Sequence, residues 1–117
     1  MSEATKDTVH RYYTAWAAQD RTKVRQMLAD NLRFVSPQDK FESAEAFLAT
    51  CWEYSQGLSG VEVESEVYDG DRGFVILRWR TESGSSFADA EYVRVADGKM
   101  AEILVVNNDP AFHTMLD

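Results

Sequence analysis

The chain has 117 residues, 44% of them hydrophobic and 27% charged, with 20 acidic against 12 basic side chains and a net charge of −8. That length suits a single domain over residues 1–117, and the composition is that of an ordinary soluble globular protein, not a disordered or fibrous one. Phosphate backbones and anionic bilayers both need clustered lysine and arginine, so neither nucleic acid nor a membrane is an expected partner.

The first periodic stretch is Thr5 to Gln19, where Val9, Tyr12, Tyr13 and Trp16 fall at i, i+3, i+4 and i+7 on one helix face. Buried tyrosine and tryptophan need partners for their O–H and N–H groups, so this stripe suits a pocket wall as well as plain core. Asp20 breaks and recaps the chain before a second helix, Thr22 to Ala29, with Val24, Met27 and Leu28 inward. A brief strand, Leu32 to Ser36, puts Leu32, Phe34 and Ser36 on one face and stops at Pro37, which cannot donate to a ladder. Pro37 to Glu42 reads as a polar loop anchored by Phe41.

Ser43 caps a third helix that runs to about Gln56, with Ala44, Phe47, Leu48, Cys51, Trp52 and Ser55 as its buried stripe and Gly57 as its stop. Cys51 is the lone cysteine, which excludes an intrachain disulfide, and it reads as a small buried hydrophobe. From Val61 the period changes to two. Val61, Val63 and Val67 alternate with Glu62, Glu64 and Glu66, a half-solvated strand with its acids outward. After a turn at Tyr68 to Asp71, the strand Gly73 to Glu82 is apolar on both sides near its middle and so reads as central. Arg78 and Arg80 share one side of it, where glutamates of neighbouring strands can bond them.

The clearest hairpin follows. Two β-branched runs within Ser85 to Asp109 flank Ala96-Asp97-Gly98, an Asp-Gly turn signal. In the first run Asp89 and Glu91 share parity with Phe87, Val93 and Val95. If that parity faces a core, two carboxyls lie inside the sheet and require partners, raised pKa values or a wet cavity. The tail, Pro110 to Asp117, carries Phe112 and His113. Helices on one side of an antiparallel meander make an α+β pattern.

No phosphate-cradling loop and no nucleophile elbow occurs. His10 and His113 are too isolated to suggest a metal centre, and no cofactor is expected. No apolar run approaches the roughly 18 residues of a membrane span. The polar opening MSEATKDTVHRYY lacks the apolar centre of a secretory signal, so a cytoplasmic location is expected. What remains is a constellation: Asp89 and Glu91, the tyrosines of the first helix, Trp79, Ser36 and Asn107. A desolvated carboxyl beside tyrosine hydroxyls is the chemistry of a proton shuttle at an acidic carbon. It is equally the description of a structural buried acid that holds a cavity open.

The segments YYTAWAAQDRTKVRQMLADNLRFVSP, FESAEAFL and AEYVRVADGKMAEILVVNND, in that order and spacing, resemble the NTF2-like superfamily and its small SnoaL-like members. The resemblance implies a cone: three N-terminal helices packed on a strongly curved, mostly antiparallel sheet, with a pocket between them and pairing of two copies through the sheet into a homodimer. It also implies a small, partly apolar organic molecule as partner and cofactor-free isomerase, cyclase or hydrolase chemistry. Glu91, a family-typical acid, would be the general acid or base, with Asp89 second and Tyr12 or Tyr13 donating to developing negative charge. Tyr13, Trp16, Phe34, Ser36, Trp79, Val105 and Asn107 would complete the binding surface.

Set beside ketosteroid isomerase, a member of that superfamily, Tyr12 matches the catalytic tyrosine. Ser36 and Ala88, however, stand where its two aspartates fall. Val105 likewise stands where limonene epoxide hydrolase has its last-strand aspartate. Asn107 and Asn108 replace the acid that often ends the final strand, and Asp109 comes one step late. A non-catalytic ligand-binding or protein-interaction module is therefore the competing expectation.

Overall fold

A computed structural model describes residues 2–108; Asp109 and the tail with Phe112 and His113 lie outside the described residues. Helix α1 (Ser2–Ala17) and helix α2 (Arg21–Gln26) come first, then strands β1 (Leu28–Val35) and β2 (Lys40–Phe41). Helix α3 (Ala44–Tyr54) precedes β3 (Leu58–Asp69), β4 (Arg72–Thr81), β5 (Ser86–Ala96) and β6 (Lys99–Asn107). Two helices, not three, thus precede the first strand. The six strands form one curved sheet in the order β2-β1-β6-β5-β4-β3, antiparallel throughout except for the parallel β1–β6 pair.

The α1 stripe of Val9, Tyr12, Tyr13 and Trp16 is buried against the sheet. Thr5 Oγ1 donates to the carbonyl of Gly70 at 2.7 Å and ties the helix start to the β3–β4 turn. Asp20 caps α2 by accepting from the Lys23 N–H at 3.1 Å, and Ser43 caps α3 by accepting from the Ala46 N–H at 3.1 Å. Each such cap satisfies a donor that the helix itself leaves unpaired. The core between the layers includes Val24, Leu28, Leu32, Leu48, Leu77, Val93, Met100 and Ile103, all buried. Burying one side chain of this size contributes about 1.5–3 kcal/mol relative to leaving it exposed.

Three segments depart from the periodicity reading. The second helix ends at Gln26, three residues short of Ala29, because Met27 caps it and Leu28 already pairs with Met100 of β6. The Met100 N–H donates to the Met27 carbonyl at 2.7 Å, so a long-range ladder overrides a weak local helical pattern. The expected loop Pro37 to Glu42 contains β2, which pairs Phe41 with Phe34.

In β3, Val63 faces Leu77 while Ser65 faces Ile76, so Glu64 is an added residue. Such a bulge reverses the alternation beyond it. Val67 consequently points outward, 68% exposed, and Glu66 turns toward α1, where its Oε1 meets His10 Nε2 at 2.7 Å.

Strand β5, by contrast, keeps its alternation. Ala90 faces Asn107 but Glu91 faces Val105, so the added residue is Val106 of β6. The β4–β5 ladder runs without a shift from Arg72 opposite Arg94 to Arg80 opposite Ser86. Asp89, Glu91, Val93 and Val95 therefore all face inward and are buried. At the hairpin tip Asp97 and Gly98 both have positive φ, 52° and 72°, as the tight Asp-Gly turn requires.

Candidate functional site

A cavity of about 170 Å³ lies between the helices and the concave face of the sheet. α1 contributes Tyr12, Tyr13 and Trp16 to its wall, α3 contributes Phe47, Cys51 and Tyr54, and the strands contribute Phe34, Trp79, Asp89, Glu91 and Val105 among others. The helical residues reach it because their spacing repeats about every turn, the strand residues because they alternate.

Glu91 sits where β5 passes beneath α1. The Tyr13 hydroxyl donates to its Oε1 at 2.5 Å, a bond between two buried groups. One alternate position along β5, the Trp79 indole N–H donates to Asp89 Oδ2 at 3.3 Å. Asp89 Oδ1 is buried and has no hydrogen-bond partner. A buried acceptor without a donor is uncommon and carries a penalty of about 1–3 kcal/mol.

Burial first, and then the neighbouring Glu91, hold the Asp89 carboxyl well above the usual carboxylate range. Burial also raises Glu91, and hydrogen bonding to Asp89 and Tyr13 offsets part of that rise. Both tyrosine hydroxyls are pushed up by burial and then by Glu91, so they serve as donors. Burial pushes the half-buried Cys51 thiol up to about 12. That is the behaviour of an inert thiol, not a nucleophile.

The rings meet mostly at steep angles. Tyr12 and Tyr13 are 5.0 Å apart at 64°, Tyr12 and Trp16 6.3 Å at 89°, and Tyr13 and Trp79 6.0 Å at 74°. These are edge-to-face contacts, a favourable arrangement of aromatic quadrupoles that also forms the adjoining walls of a box. Among the described residues that line the cavity there is no lysine, arginine or histidine.

Eight of the residues singled out from the sequence meet at this cavity: Glu91, Asp89, Tyr12, Tyr13, Trp16, Phe34, Trp79 and Val105. The tyrosine that touches Glu91 is Tyr13. Tyr12, the other of the two tyrosines expected as donor, packs beside it through its ring. Ser36 and Asn107 are not on the cavity wall. The Ser36 Oγ is used within its own turn, accepting from the Gln38 and Asp39 N–H groups at 3.2 and 3.0 Å. Asn107 stands at the end of β6, beyond the added Val106, so the alternation that runs through Val105 no longer holds there.

Phe47, Ser55, Leu58, Phe87 and Ile103 line the cavity without having been singled out as site residues. Phe87 shares the parity of Asp89 and Glu91, and Phe47 shares the helix face of Cys51; those spacings were the available signals.

A fold of α-helices against a curved sheet, with an acid-bearing hollow, defines the class. A family model described as a SnoaL-like domain matches residues 9–103, and the chain belongs to that family. The solved structures similar to it share its NTF2-like fold. An NTF2-like protein of unknown function from Cytophaga hutchinsonii is 17% identical, with a TM-score of 0.73 over 97% of this chain and 95% of that one. A candidate SnoaL-like polyketide cyclase from Jannaschia Sp. CCS1 is 23% identical, with a TM-score of 0.74 over 90% and 85%. A candidate ketosteroid isomerase from Kribbella flavida is 16% identical, with a TM-score of 0.72 over 89% and 77%. At these identities the likeness speaks for the fold alone. No curated protein matches the chain.

Proposed function

We propose that this SnoaL-like protein binds a compact, partly apolar organic molecule between α1, α3 and the sheet, and that Glu91 exchanges a proton with it without a cofactor. One observation carries the reading: two buried carboxyls, Asp89 and Glu91, line a cavity of about 170 Å³ whose remaining walls are mostly aromatic and aliphatic. A purely structural interior gains nothing from two desolvated acids, whereas a proton-transfer site needs a carboxyl with its pKa raised toward the working pH. Tyr13 occupies Oε1 of Glu91. We therefore assign the exchange to Oε2, with Asp89 as the neighbouring proton store and Tyr12 as a second hydroxyl against the ligand.

Ser36, Ala88 and Val105 stand where related enzymes carry their acids, and that observation favours a second reading, a binding module without turnover. A thermal-shift screen of small organic molecules tests the shared part. Hits should raise the melting temperature of the wild type and lose their effect in Val105→Phe, which fills the cavity. Hits that persist in the filled variant, or an empty screen, contradict ligand binding at this site.

Among hits with an acidic C–H, deuterium exchange that disappears in Glu91→Gln supports catalysis. Exchange equal in both proteins supports the binding module.

The homodimer expectation is proposed on separate grounds. Val67, Phe74 and Val106 are apolar, outward and 58–68% exposed. Phe74→Glu should convert a sedimenting dimer to a monomer; a wild-type monomer would contradict pairing.

A further inference from the structure

We propose that the molecule this cavity takes is a compact organic cation, an ammonium ion of about the size of choline, held by Asp89 and Glu91 against the aromatic wall. The inference rests on the preceding reading, because it places the ligand in the same hollow and adds its charge.

The charge inventory comes first. The described residues around the cavity supply two carboxyls and no basic side chain. An anionic ligand would meet only like charge there, at low dielectric, where repulsion is strongest. A neutral carbonyl compound brings one more acceptor to a site whose Asp89 Oδ1 is already buried and unpartnered. Tyr13 and Trp79 already give their hydrogens to the two carboxyls, so such a ligand would depend on the Tyr12 hydroxyl or on a carboxyl that keeps its proton. A cation instead takes the place of that proton, releasing it to solvent as the ligand enters.

The aromatic wall is the second, independent observation. The pairs Tyr12–Tyr13, Tyr12–Trp16 and Tyr13–Trp79 meet at 64–89°, so these four rings of the box are turned in several directions. Cations favour the negative faces of such rings, and cages of this kind recognise quaternary ammonium groups. Size agrees, since about 170 Å³ admits a molecule with few heavy atoms. A bare metal ion fits less well: among the described residues no group of three histidine, cysteine, aspartate or glutamate side chains converges. The net charge of −8 also draws cations toward the protein from solution.

Isothermal titration of the full chain at pH 8 tests this with three probes of one shape. These are choline, its uncharged isostere 3,3-dimethylbutan-1-ol, and 3,3-dimethylbutanoate. Choline is expected to bind about tenfold or more tighter than the alcohol, as cation–π and carboxylate contacts together would give. The carboxylate should not bind detectably. Choline affinity should fall as pH drops from 8 to 5, because protons then compete for the same carboxyls, while the alcohol's affinity should not fall.

Asp89→Asn should weaken choline about tenfold and leave the alcohol nearly unchanged; should it fail to fold, Glu91→Gln provides the same contrast. Equal or tighter binding of the alcohol or the carboxylate overturns the cation preference while leaving the pocket reading intact. No binding of any of the three, with the thermal-shift screen also empty, overturns both.

Discussion

The two faces of the sheet handle acids in opposite ways. On the outer face Glu64 accepts from Arg78 Nε at 2.9 Å and Glu62 from Arg80 Nε at 2.8 Å, each across the β3–β4 ladder. On the inner face, a strand away, Asp89 and Glu91 are buried with an indole and a phenol as donors, and the described residues of the cavity wall place no cation beside them. The chain therefore has arginines for its acids and places them where water already does most of the work. Outer pairs are cheap to form and contribute little. Inner acids stay unneutralised, at a cost in stability that only a ligand or a reaction would recover. The contrast supports the proposal of a site on the concave side, and it does so without reference to any relative.

Breaking the inner face through its packing should have the largest effect. Leu77 is fully buried and lies opposite Asp89 in the ladder. Leu77→Ala should lose about 2–5 kcal/mol in urea unfolding, the range for cavity-forming core truncations.

Next comes Tyr13→Phe, which strips Glu91 of its donor. It should lose about 1.5–3 kcal/mol, the worth of a hydrogen bond to a charged acceptor. It should also raise the Glu91 pKa further, since that bond holds the carboxyl down.

Neutralising the inner pair sharpens the contrast through pH. Both carboxyls have folded-state pKa values above the ordinary one near 4. The folded state thus holds protons more tightly than the unfolded state. That contribution to stability is complete below about pH 4 and is lost as pH rises through the folded-state values. Wild type should accordingly lose stability as pH rises above about 4, and the Asp89→Asn, Glu91→Gln double variant should show a flatter profile. The gap between them at pH 8 should be on the order of 1–3 kcal/mol.

On the outer face the effects should shrink. Arg78 is 12% exposed, and Arg78→Ala should cost about 1 kcal/mol. Arg80 is about half exposed, and Arg80→Ala should be close to neutral in the same unfolding assay.

Much of this was legible beforehand because side-chain period and strand parity are local. The stripe of α1, the cap at Ser43, the Asp-Gly hairpin and the inward parity of Asp89 and Glu91 all follow from neighbours in sequence. What was not legible depended on register. The bulge at Glu64 sends Val67 outward and Glu66 toward His10, and nothing in the alternating run of valines and glutamates announces it. The bulge at Val106 similarly separates Asn107 from the alternation that carries Val105.

The early end of α2 is set by Met100, seventy-odd residues away. Ser36 looked inward by parity with Phe34, but its hydroxyl is satisfied by the turn that brings β2 back. That Tyr13, not Tyr12, bonds Glu91 depends on the rotation of α1 about its axis, which adjacent letters cannot supply.

The central claim is that the concave face shelters two acids from water and from countercharge. Carboxyl ¹³C chemical shifts of Asp89 and Glu91, followed from pH 2 to pH 9 and assigned with Asp89→Asn and Glu91→Gln, measure it directly. Both carboxyls are expected to titrate above the ordinary carboxylate range, with the Asp89 midpoint falling in Glu91→Gln, which removes the neighbouring charge. Midpoints near 4 for both would mean that solvent or a cation already serves them, which would contradict that claim.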